Sequence, residues 1–190
     1  QYAQGPRFQG DLTTAFHFFW GGVYDLAIVP QLHVDDVRRT LEWFAHDYHT
    51  STDRRYVIDL FLEREGAQYV EAARTILRAW AASTLGLLRV LERSGDNAVE
   101  MYDCLRQAQL TVQDRSLARN AQTGDVAVGR LFERDGTHRL SLATLLLPAD
   151  YEAGLTAYLT NAYHLYQEEH PGTEWDRFLR ENGHLANAYL

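Results

Sequence analysis

Apolar and polar residues alternate with a period of two through the middle third of the chain, and recur every three or four residues on either side of it. In 123–137, Val126, Val128 and their neighbours run between Gly124-Asp125 and Asp135-Gly136, which reads as turn, strand and hairpin turn. Residues 87–92 and 99–102 flank Ser94-Gly95-Asp96-Asn97, a tetrad with hairpin-loop chemistry. A third short strand falls at 109–112, one irregular or helical turn at 115–120, and two more strands at 126–132 and 139–145. Five short strands separated by turn signals predict an SH3-like or OB-like small barrel over 85–148, because closing a small sheet removes its unpaired edges.

The flanks have helical spacing. Asp11 is positioned to cap a short helix carrying Phe16, Phe18, Phe19 and Trp20, all expected inside, with Gly21-Gly22 ending it. Val37, Leu41, Phe44, Ala45 and Tyr48 make one face of a second helix, with Asp35, Arg38, Arg39 and Glu42 on its wet side. Thr52 or Asp53 is expected to cap a third helix with Val57, Leu60 and Phe61 inward, stopping near Gly66. Tyr69, Val70, Ala73, Ile76, Leu77 and Trp80 define a fourth. After Pro148 the apolar positions Tyr151, Leu155, Tyr158, Leu159, Ala162 and Leu165 predict a long helix to about Glu169. Thr173 and Asp176 have capping-box spacing for a last one through Phe178 and Leu179. The fold class is therefore α+β: a helical part over 1–84, the barrel over 85–148, and C-terminal helices over 149–190 packed on it as one unit.

Composition narrows the chemistry. All 18 basic residues among the 190 are arginine. With no lysine there is no P-loop lysine, Schiff base or lysine general base. Cys104 is the single cysteine, so neither an intrachain disulfide nor a cysteine-rich zinc site can form within these residues. No apolar run approaches the ~20 residues of a membrane span, and no leader pattern opens the sequence, so a cytoplasmic protein is expected. Beginning at Gln1 and ending on a helix-like segment, the chain reads as part of a longer polypeptide.

The formal charge of −8 is unevenly placed: residues 1–85 hold 8 Arg and 11 acids, 86–148 hold 8 and 8, and 149–190 hold 2 and 7. Within the neutral barrel, Arg115, Arg119, Arg130 and Arg134 with Phe132 form a candidate binding patch for phosphate or a stacked base. Nucleic-acid binders carry a net basic footprint, which this region lacks, so a protein partner or self-association ranks above nucleic acid.

Catalytic patterns are sparse. Glu42, His46 and His49, with Asp53 nearby, have a spacing that would align them on one helix face as metal ligands; solvated helix residues are the simpler account, and the pattern matches neither a zincin nor a di-iron motif. His164 and Glu168 lie one helical turn apart, but no nucleophile elbow accompanies them. The Tyr151, Tyr158, Tyr163 and Tyr166 set reads as an aromatic docking face or as packing against the barrel.

Residues 87–92, Met101-Tyr102-Asp103 and the 123–131 run, following Trp43-Phe44 and the 53–62 helix, resemble the small barrel of uncharacterised bacterial proteins that also carry the SEC-C zinc motif. The resemblance spans 40–148. It implies an accessory domain, while the Cys-x-Cys and Cys-His ligands of SEC-C are absent here, so it implies no zinc site. Taken together, the reading is a non-catalytic interaction module without a cofactor. The alternatives are single-strand nucleic-acid binding on the barrel and a metal-dependent enzyme at Glu42, His46 and His49.

Overall fold

The computed structural model describes residues 2–24 and 26–190, and divides into two compact units. One contains residues 2–81 with 181–188 and Leu190; the other contains 82–180 with Tyr189.

In the first unit, α1 (Gln9–Phe19), α2 (Val34–His46), α3 (Val57–Glu65) and α4 (Glu71–Ala81) assemble the helical part, joined by most of the short α8 (His184–Tyr189). Its core is aromatic: Phe8, Phe19, Trp43 and Phe44 close around Ala15, Val57 and Leu60. Asn187 reaches back to donate from Nδ2 to the Phe19 carbonyl at 3.1 Å, tying α8 to α1. Gly21 and Gly22 end α1 at φ of 60° and 78°, a conformation open to glycine at little cost.

Several expectations change here. Asp11 caps no helix; it lies inside the first turn of α1, and its carboxylate accepts from the Ser51 amide at 2.9 Å. Phe18 stays 52% exposed although Phe16 and Phe19 are buried. Thr52 and Asp53 do not start α3, which begins at Val57 after Tyr56, because Arg54 takes φ of 53° and Asp53 is ion-paired with Arg7. Tyr69 and Val70 precede α4 and are exposed, so that helix buries a narrower face than its spacing implied.

The second unit is the barrel with its helices. Strands β1 (Thr84–Arg93), β2 (Ala98–Asp103), β3 (Ala108–Gln113), β4 (Val126–Arg134) and β5 (Thr137–Leu140) pair in the order β1-β2-β3-β5-β4, and β1 also pairs with β4. That ring is closed. β3 and β5 run parallel, meeting at Val112 and His138, every other pairing is antiparallel, and α5 (Arg115–Asn120) connects β3 to β4. This is the OB order rather than the SH3 one. The ten-residue β1 serves both neighbours by bending at a bulge between Val90 and Glu92. Leu88, Val90, Val99, Met101, Val112, Ala127 and Leu140 fill the barrel, with Leu117 and Ala118 of α5 closing it. Asp114 fixes that helix by accepting from the Leu117 amide at 2.8 Å.

The expected strand at 139–145 is interrupted. β5 stops at Leu140 and β6 (Leu145–Leu147) resumes on β4, so four residues of one strand face two of the other. Gly129 faces that detour, and a Cβ there would sit 2.1 Å from Thr144 Oγ1. Two helices follow, α6 (Tyr151–Glu169) and α7 (Trp175–Asn182), the last two residues of which pass into the first unit. Leu155, Leu159, Phe178 and Leu179 are their buried residues, and Tyr163 stacks on Trp175 with ring centroids 4.0 Å apart. The capping box does not form: Thr173 Oγ1 donates to the His170 carbonyl at 2.8 Å and Asp176 is bound by Arg106.

Candidate functional site

The fold takes Arg130 out of the arginine patch. Arg115 and Arg119 are exposed on α5, and Phe132 is half-buried on β4. Arg134 lies at the β4–β5 turn with Nε 3.3 Å from an Asp135 carboxylate oxygen. Arg130 is 3% exposed, and its Nη1 donates to the Ser83 carbonyl at 2.7 Å. Residues 126–130 of β4 are covered on both faces, which is why a charged side chain in the middle of a strand ends up inside. Any ligand-facing group would have to be made by the other four.

The β2–β3 face, where OB barrels hold oligonucleotides, is engaged by its own chain at Tyr102, while Gln109 and Thr111 on it are exposed. Arg89 lies over the Tyr102 ring at 5.1 Å and pairs with Glu152 of α6 at 2.8 Å. Beside them Thr111 donates to Glu100 at 2.7 Å. Its basic group and its aromatic group are thus engaged internally, and the rest of that face is neutral or acidic.

Cys104 sits 3.6 Å from both the Tyr102 carbonyl and Glu152 Oε1. Burial, reinforced by the Glu152 carboxylate, pushes its thiol up to about 11, so it is protonated and a poor nucleophile at neutral pH.

The metal arrangement fails on geometry. α2 ends at His46, so His49 lies beyond the helix and off the shared face; its ring stacks on Tyr56 at 4.2 Å. His46 is buried against the edge of Trp80, 4.9 Å away, and Asp53 belongs to Arg7. Among the described residues, no group of three or more His, Cys, Asp or Glu side chains is placed to hold a metal ion. An apolar groove of about 410 Å³ opens in the same unit, lined by Tyr2, Ala45, Val57, Phe61, Tyr69, Trp80 and two neighbours. Its lining offers no carboxylate, imidazole or guanidinium for acid–base work.

The tyrosine set divides. Tyr163 donates from its hydroxyl to the Thr173 carbonyl at 2.6 Å, and Tyr166 packs on Phe178. Tyr151 and Tyr158 instead remain in water at 39% and 37% exposure, in line with Leu165 at 62%. Positions 151, 158 and 165 are seven apart, hence on one helix face, and Tyr189 extends the strip beside Tyr158 with ring centroids 5.4 Å apart. The sequence pattern held this signal, but apolar residues on both faces of α6 concealed which one is buried.

No family model, curated protein or solved structure matches this chain. Among the described residues no helix is long and apolar enough to cross a membrane.

Proposed function

We propose that this chain is a non-catalytic interaction module, an accessory part of a larger bacterial protein, whose docking element is the outer face of α6. The observation that carries the reading is the exposed strip of Tyr151, Tyr158 and Leu165, with Tyr189 beside it. Aromatic and aliphatic side chains held on a rigid helix supply contact area at small entropic cost. Such side chains left together in water are the usual mark of an interaction surface. A thiol held protonated and histidines turned into packing contacts agree with a binding role. The likeness of 40–148 to the barrel of SEC-C-associated proteins fits an accessory domain.

A random peptide library displayed on phage and selected against the protein tests this. Enriched peptides should bind wild type and lose binding to Leu165→Glu, a substitution at an exposed position that leaves the melting temperature unchanged. Enrichment indifferent to that substitution refutes the assignment.

The OB strand order favours one second reading, single-strand binding on the barrel with Arg115, Arg119 and Phe132 in contact. Binding of labelled oligonucleotides at ~50 mM salt, lost on Arg115→Ala/Arg119→Ala, would support it over the first.

A further inference from the structure

The strip on α6 has a charge pattern along its length that its apolar character does not require. No Asp, Glu or Arg occurs from Ala153 to Gln167, and the exposed residues there are Ala153, Ala157, Tyr158, Asn161, His164 and Leu165. Carboxylates stand at both ends: Asp150 and Glu152 before and within the first turn, Glu168 and Glu169 in the last. Glu152 is matched by Arg89, whereas Asp150, Glu168 and Glu169 are exposed.

The pair at the C-terminal end bears most on the question. A helix C-terminus is already the negative pole of the backbone dipole, and favours Lys, Arg or His. Placing Glu168 and Glu169 there, with no basic residue in the last turn, works against helix stability. An external cation arriving at that end would meet two carboxylates and the final carbonyls together.

We infer that the α6 strip receives an amphipathic helix of another protein, with aliphatic or aromatic residues seven apart in its centre and Arg or Lys beyond both ends. This rests on the interaction-module reading above and names its partner. The strip runs from Tyr151 to Leu165, roughly 21 Å of helix, so a partner segment of about 15 to 20 residues covers it. With Tyr189 the strip leaves on the order of 400 Å² of mainly apolar surface in water, enough for a helix-sized contact. A second copy of this chain is the poorer occupant. Antiparallel pairing of two α6 helices sets Asp150 of each near Glu168 and Glu169 of the other, parallel pairing sets the glutamates against themselves, and each copy carries −8.

The test uses two fluorescein-labelled 21-residue helical peptides with leucine at seven-residue spacing, one ending in two arginines at each end and the other in two glutamates. Anisotropy titration at ~50 mM salt should show the arginine-ended peptide binding at least tenfold tighter, with the gap narrowing at ~300 mM salt. Leu165→Glu should abolish binding of both, and Glu168→Gln/Glu169→Gln should shrink the gap while sparing the weaker peptide. Equal affinities, both lost on Leu165→Glu, would overturn the basic-ended partner and leave the docking face standing. Binding of neither peptide overturns both. A dimer in sedimentation that Leu165→Glu dissociates would replace the partner with a second copy.

Discussion

Replacing Arg106 by alanine removes the hub of an ion-pair network in the second unit. Its guanidinium donates to Asp103 Oδ2 at 2.7 Å, to the Leu85 carbonyl at 3.2 Å, to Thr84 Oγ1 at 3.0 Å and to Asp176 Oδ1 at 2.6 Å, joining the β2–β3 turn to the start of β1 and to α7. The two carboxylates differ in burial. Asp103 has a side chain 3% exposed and Asp176 one 65% exposed. Asp103 Oδ1 keeps the Leu105 and Arg106 amides, both at 3.0 Å, in the variant, while Oδ2 loses the cation that compensates its burial. Breaking a buried pair from one side costs ~3–5 kcal/mol, and the partial access of water to Arg106 puts the expectation at the low end, about 3 kcal/mol. Asp176→Asn breaks only a solvent-screened contact and should cost under ~1 kcal/mol. Urea denaturation should show the Arg106→Ala midpoint falling by about 1–3 M. Hydrogen exchange should place the loss in β1 and β2. Equal costs for the two variants, or under ~1 kcal/mol for Arg106→Ala, would refute the division into a buried and an exposed half.

Gly129→Ala should destabilise the barrel by ~1–3 kcal/mol, since the new Cβ meets Thr144 Oγ1 at 2.1 Å and Thr144 Cβ at 2.8 Å, and thermal melts of the Gly129→Ala/Thr144→Gly double variant should recover part of it. His184, packed against Phe18 at 4.4 Å and Trp43 at 5.7 Å, is pushed by burial down to about 4 from 6.5. The unfolded chain protonates it first, so its contribution is complete above pH 6.5 and is lost as pH falls toward 4. The loss should reach about 2–3 kcal/mol, and His184→Gln should flatten stability over that window. Cys104, with its thiol at about 11 rather than 9, should react with iodoacetamide on the order of 100-fold more slowly at pH 7.5 than an ordinary thiol, accelerating through pH 9–11; a normal rate would refute the burial argument.

Local chemistry was enough for much of this architecture. The alternation in 84–113 marks strands because period two gives one face to a core, 126–134 is marked by the turn signals on either side of it, and Gly95 and Gly136 sit where the turns need positive φ. Which strand lies beside which is not a local property: β1 pairing with β4, and the parallel contact of Val112 with His138, depend on closing the sheet. The misplaced caps have the same origin. Asp11, Asp53 and Asp176 have sequence neighbours that invite capping, yet Ser51, Arg7 and Arg106, distant in the chain, compete for the same oxygens. Glu42, His46 and His49 fit one face only while the helix continues, and it stops at His46. Arg130 reads as a surface arginine because strands usually have one wet face, and β4 is covered on both. On α6 the spacing of Tyr151, Tyr158 and Leu165 is written in the sequence, but Leu155 and Leu159 lie on the adjoining flank, and only their burial decides that the strip beside them meets water. Periodicity thus determines which residues share a face, and only the tertiary arrangement, through its competition for partners and for burial, decides what each face meets.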